Sequence, residues 1–235
     1  MNLLRIKELD TVLTGIIRKN MDDLTWCWLQ EKILLLKKDS TANQLPVVFS
    51  SIQRKTSKLI VRLEDEELKQ IEIVFPSFSI HNWSVQRLSR VWLLMQLNSS
   101  SKENYIKNIA SVFRNAEMNE LVALYSALPV LAYPDEWKMC CADGIRSNIA
   151  PVLEAIMLDN PYPAAYLGED AWNQMVLKAF FTEKDIDRIV GLSERNNKHL
   201  AATLFDYAQE RIAAGREVNK KLWPLVEKFS AEKIK

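Results

Sequence analysis

The chain has 235 residues, of which 31 are Lys or Arg and 30 are Asp or Glu, giving a formal net charge of +1. That balance argues against a nucleic-acid binder, which carries a basic excess, and 48% apolar with 26% charged residues argues against a disordered chain. Only five residues are glycine, roughly a third of ordinary usage, which excludes a phosphate-cradling loop and a dinucleotide fingerprint and leaves little hairpin chemistry.

The opening ten residues carry charge throughout and lack the apolar stretch of a secretory signal. The longest uncharged apolar segments, 73–86 and 121–134, contain Pro and fall short of the about 20 residues a membrane span needs. Cys27, Cys140 and Cys141 form no disulfide framework. The expectation is a reduced, cytoplasmic protein with no transmembrane segment.

Apolar residues recur at helical spacing almost everywhere. Leu9, Val12, Leu13, Ile16 and Ile17 define a first helix. Asp22 is placed to cap a second, which runs through Leu36 to a polar break at Lys37-Lys38-Asp39-Ser40. A third follows Gln44, with Pro46 in its first turn. Residues 56–83 contain two runs with strand character, but Glu64-Asp65-Glu66-Glu67 lacks the Gly or Asn of a tight hairpin. The acidic run is read instead as the start of a short helix approached by extended chain, with Pro76 to Asn82 as loop.

From Ser84 the stripes are regular, with caps expected at Ser84 and Ser101. They run Leu88-Val91-Trp92-Met95, Tyr105-Ile109-Val112-Phe113 and Met118-Leu121-Val122-Tyr125-Leu128. Others follow at Trp137-Cys141-Ile145, Val152-Leu153-Ile156-Met157 and Trp172-Met175-Val176-Ala179-Phe180. The last two pass through Leu200, Leu204, Phe205, Ala208 and Ile212, stopping near Gly215, and through Leu222, Leu225, Val226 and Phe229. Starts near Ser84, Glu117 and Ile149 lie 33 and 32 residues apart. The fold predicted is all-α: antiparallel helix pairs stacked as an irregular α-solenoid of HEAT or TPR kind, or a compact helical bundle, in one domain spanning 1–235. Residues 1–115 carry +5 and the rest −4, which a solvated helix face explains better than an anionic partner.

Little in the sequence points to catalysis. His81 and His199 have no second ligand at metal-binding spacing, and Asp22-Asp23 and Asp185/Asp187 lack the spacing of a diphosphate-magnesium site. No catalytic residue, metal or cofactor is assigned. Cys140 and Cys141 read as small buried apolar groups. The richest polar cluster runs from Asp143 to Lys178. Its residues are natural turn and cap formers, and turns are the simpler explanation. The functional alternative places Arg146, Asn148, Asp159, Asn160, Tyr162, Asn173 and Lys178 as candidate ligand or partner contacts. The cations would bind an anionic group, Asn would orient it and Tyr would cover an apolar ring.

Several ordered segments resemble the EboA family of bacterial metabolite-traffic proteins: Arg114-Asn115-Ala116-Glu117-Met118-Asn119-Glu120-Leu121, Gly144-Ile145-Arg146-Ser147-Asn148, and Ala155-Ile156-Met157-Leu158-Asp159-Asn160-Pro161-Tyr162-Pro163. Ala171-Trp172-Asn173-Gln174-Met175-Val176-Leu177-Lys178-Ala179 and Tyr207-Ala208-Gln209-Glu210-Arg211 to Gly215-Arg216 extend the match. Residues 84–230 resemble the family well and residues 1–83 loosely. The resemblance implies a non-catalytic adaptor or carrier that helps move a secondary-metabolite precursor towards the periplasm. Its implied partners are other Ebo-cluster proteins, one of them in the membrane, or a hydrophobic aromatic metabolite. The alternatives are an all-α enzyme of the same pathway, using Glu120, Arg146 and Asp159, and a pure protein–protein scaffold.

Overall fold

A computed structural model describes residues 3–38 and 44–230. Among them are fourteen α-helices and no strand, so the fold is all-α. The chain divides into two compact units, residues 1–156 and 157–235.

The first unit begins with α1 (Leu3–Lys19), α2 (Asp23–Lys38), α3 (Leu45–Lys55) and α4 (Asp65–Val74). It continues with α5 (Val85–Met95), α6 (Lys102–Phe113), α7 (Met118–Ala127), α8 (Lys138–Arg146) and α9 (Ala150–Met157), in which the division between units falls. Starts follow the expected caps. Asp22 accepts from the Thr25 amide at 2.8 Å and Ser84 from the Arg87 amide at 3.1 Å, each satisfying a donor that the first helical turn leaves unused. α2 runs two residues beyond Leu36, and Asp39 and Ser40 of the expected break lie outside the described residues.

Residues 56–83 resolve as the acidic run suggests. Glu64 and Glu67 form a reciprocal capping box that opens α4, and Lys19 of α1 reaches both carboxylates at 2.9 and 2.7 Å. The extended approach survives only as one antiparallel bridge, Ile60 to Ser84. Two backbone bonds of 2.9 Å flank it, from the Val61 amide to Trp83 and from the Val85 amide to Leu59.

That bridge delivers the chain into α5, the centre of this unit, which packs against α1, α3 and α7. Nine of the ten residues from Val85 to Leu94 are buried, all but Arg87, with polar Gln86, Ser89 and Arg90 among them. A helix buried on several faces has no solvated side on which to keep such groups. Trp92 donates to Thr14 Oγ1 at 3.0 Å and Gln96 to Asp10 Oδ1 at 2.6 Å, tying α5 to α1.

Gly144 shows why α8 tolerates no side chain at its closest approach. A Cβ there would lie 2.6 Å from Ile156 Cδ1 and from two ring atoms of Tyr125. Alanine favours a helix over glycine by about 1 kcal/mol, but overpacking a filled core costs about 1–3 kcal/mol. Gly144→Ala is therefore expected to lower the thermal midpoint; an unchanged or raised midpoint would contradict this packing.

The second unit contains α10 (Tyr162–Tyr166), α11 (Glu169–Phe181), α12 (Leu192–Arg195), α13 (Lys198–Ala213) and α14 (Trp223–Ser230). α13 packs on both α11 and α14. The α11 stripe of Trp172, Met175, Val176, Ala179 and Phe180 is buried as its spacing predicts. In α13 the stripe is narrower: Leu200, Leu204 and Ala208 are buried, whereas Phe205 and Ile212 are exposed. The helix ends at Ala213, and Gly215 just beyond its C-cap takes a φ of +65° that suits glycine. The short α10 and α12 have too few residues for a periodic stripe to announce them.

Candidate functional site

The predicted contact residues fall in both units. Arg146, at the end of α8, is exposed and ion-pairs with Asp143 one turn earlier; Asn148 lies exposed in the segment before α9. Such an exposed pair contributes little to stability.

In the second unit the residues build the turn between α9 and α10. Asp159 holds a φ of 52°, and its amide donates to the Arg188 carbonyl at 2.9 Å. Arg188 Nε returns a 3.0 Å bond to the Asp159 carboxylate. Asn160 is buried and accepts from the Tyr162 amide at 2.9 Å, an Asx turn. Tyr162 is buried and stacks on Tyr166 with ring centroids 4.9 Å apart. Asn173 exchanges two hydrogen bonds with Asn197, at 3.3 and 2.9 Å. Asn197 also caps α13 through the Leu200 amide at 2.8 Å. Lys178 sits in the last turn of α11, where a cation suits the helix dipole. Asn160 and Tyr162 are thus brought together, with their polar groups directed into the fold.

The cysteines differ in setting. Cys27 is exposed and Cys141 buried; burial pushes the Cys140 thiol up to about 11, so its reactive thiolate is scarce near neutrality. Among the described residues no group of three His, Cys, Asp or Glu is placed to hold a metal ion, and no helix is long and apolar enough to cross a membrane.

What the periodicity did not reveal is a cavity of about 310 Å³ in the first unit. The Ile60–Ser84 bridge places Lys58 and Asn82 at its wall, α5 contributes Arg87 and Arg90, and α7 contributes Asn119. Arg87 is held in place: its Nε donates to Ser126 Oγ at 2.8 Å, and its guanidinium lies 4.2 Å from the Trp83 ring centroid. Arg90, only 1% exposed, donates through Nε to the Phe49 carbonyl at 3.2 Å. Its Nη2 stands 3.8 Å from Glu120 Oε1, a long ion pair. Burial pushes the Arg90 guanidinium down from its ordinary value, and Glu120 and Glu117 pull it back up. The sequence shows Arg90 beside the apolar Leu88-Val91-Trp92 stripe of α5, but a helix cation normally faces solvent, so its burial was not announced.

The first unit is thus all-helical and carries an open cavity walled by Lys58, Arg87 and Arg90. The family model for the metabolite traffic protein EboA matches residues 9–227, and the chain belongs to that family. The match takes in most of the N-terminal helices as well as the segments from Ser84 onward. Comparison with curated proteins and with solved structures gave no match.

Proposed function

We propose that this chain is a non-catalytic helical adaptor or carrier that assists the passage of a secondary-metabolite precursor towards the periplasm. The family's metabolite-traffic role gives the setting. The observation that carries the reading is the cavity of about 310 Å³ within the first unit, near the lower end of the size range of small-molecule pockets. In this reading the protein is cytoplasmic and works with other Ebo-cluster proteins, reaching the membrane through a membrane-bound partner. Arg146 and Asn148, exposed on the first unit, are proposed as partner contacts. Asp159, Asn160, Tyr162 and Asn173 support the second unit's own surface, with Lys178 alongside them on α11.

Titrating the purified protein with pathway precursors, followed by tryptophan fluorescence and by mass spectrometry, tests this. Saturable binding with no new product is the expected result. A product whose formation Arg146→Ala abolishes would replace the carrier by an enzyme, and the absence of saturable binding would reduce it to a scaffold.

A further inference from the structure

Among the described residues, the helical packing leaves one buried charged group incompletely answered. Arg90 is buried at the centre of the first unit, and its Nη2 has no hydrogen-bond acceptor. Glu120 is close enough to offset the charge but, at 3.8 Å, too far to accept a hydrogen bond. The carboxylate has other work. Its second oxygen accepts from the Glu117 amide at 3.0 Å, and Glu117 caps the same turn in return. A buried guanidinium with unused donors is costly, because water no longer solvates it.

The cavity beside Arg90 has a matching character. Lys58, Arg87 and Arg90 all line it, and no carboxylate does. Lys58 is exposed and makes no ion pair among the described residues. Asn82 and Asn119 add amide groups, while Ile60 and Val122 supply apolar wall. Glu117 and Glu120, the acids that act on Arg90, hold the first turn of α7 rather than line the space.

We propose that this cavity binds the oxyanion of a small molecule, a carboxylate or phosphate, with Arg90 as the buried anchor and Lys58 and Arg87 as the outer cations. Charge-assisted bonds from a guanidinium to an oxyanion are the strong, geometrically specific kind. Asn82 and Asn119 orient the group, and the apolar wall receives the adjoining carbon skeleton. This rests on the carrier reading and names the charged group by which a precursor is held.

The test is calorimetric titration of the full chain at low ionic strength with inorganic phosphate and with benzoate, against chloride at matched ionic strength. One saturable site is expected. Lys58→Glu, an exposed change, should weaken it about tenfold, and Arg90→Met should abolish it. Lys69→Glu, the same charge change on the exposed side of α4, should leave it unaltered. No saturable binding beyond chloride, or an equal loss in Lys69→Glu, would overturn the proposal. Vesicles of phosphatidylglycerol separate the two sources of phosphate: binding to them but to neither soluble anion would also overturn it. A precursor that binds saturably, ignores phosphate and ignores Lys58→Glu would leave the carrier standing and sink this site. Phosphate binding without precursor binding would do the reverse.

Discussion

Replacing Glu120 by Ala should destabilise the first unit by about 3–5 kcal/mol, the range for breaking a buried ion pair from one side. The size follows from what stays behind. Arg90 is held 1% exposed between α3, α5 and α7, with Nε bonded to Phe49 and its guanidinium centre 5.5 Å from the Phe49 ring centroid. Those contacts fix the guanidinium where it stands, and arginine does not shed its proton. The substitution also removes half of the α7 capping box, which exposes the Glu117 amide to loss of its partner. Glu120→Gln keeps an acceptor for that amide and loses only the charge, so its cost should be smaller. Urea unfolding followed by circular dichroism, with hydrogen exchange in α5 and α7, measures both. A loss under about 1 kcal/mol for Glu120→Ala would mean that the pair behaves as an exposed one.

Trp172→Ala should cost the second unit about 3–5 kcal/mol, the usual figure for deleting a core tryptophan. Trp172 is completely buried on α11, and the Arg195 guanidinium lies 4.7 Å from its ring centroid. Arg195 in turn donates to the Pro163 and Ala164 carbonyls at 3.0 and 3.1 Å, so the ring supports the cation that fastens α12 to α10. The indole N–H is buried without an acceptor, which makes Trp172→Phe a milder change: it removes an unmet donor together with some volume. Hydrogen exchange in α11 and α13 is the appropriate readout. Protection retained in Trp172→Ala would show that the core closes around the gap.

Helices were legible where a stripe's spacing and its burial coincide, and less so where, as at Met118 in α7, a stripe residue is exposed. Ile16 and Ile17 in α1 and the five apolar residues of α11 illustrate the coincidence. Ser84, Ser101 and Asp22 announced their starts for a local reason, the side-chain bond to an early amide. Phe205 and Ile212 extend their stripe on paper but stand at its edge, where a wider α13 neighbour would be needed to cover them. The candidate contacts were harder to weigh. Asn160 and Asn173 have the same composition whether they grip a ligand or close a turn, and only their bonds to Tyr162 and Asn197 separate the two. The cavity beside Arg90 was invisible to spacing, since the Ile60–Ser84 bridge brings Lys58 and Asn82 to it and the packing of α7 on α5 brings Asn119.

Asn82 stands at that cavity with a φ of 59°, a left-handed backbone that asparagine, aspartate and glycine enter with least strain. Position 82 therefore has a narrow alphabet imposed by the chain path, irrespective of what the cavity holds, whereas Lys58 and Asn119 are exposed and carry no such backbone restriction. As lineages diverge, positions 58 and 119 should therefore vary more freely than 82, where the left-handed backbone alone is enough to hold asparagine, aspartate or glycine.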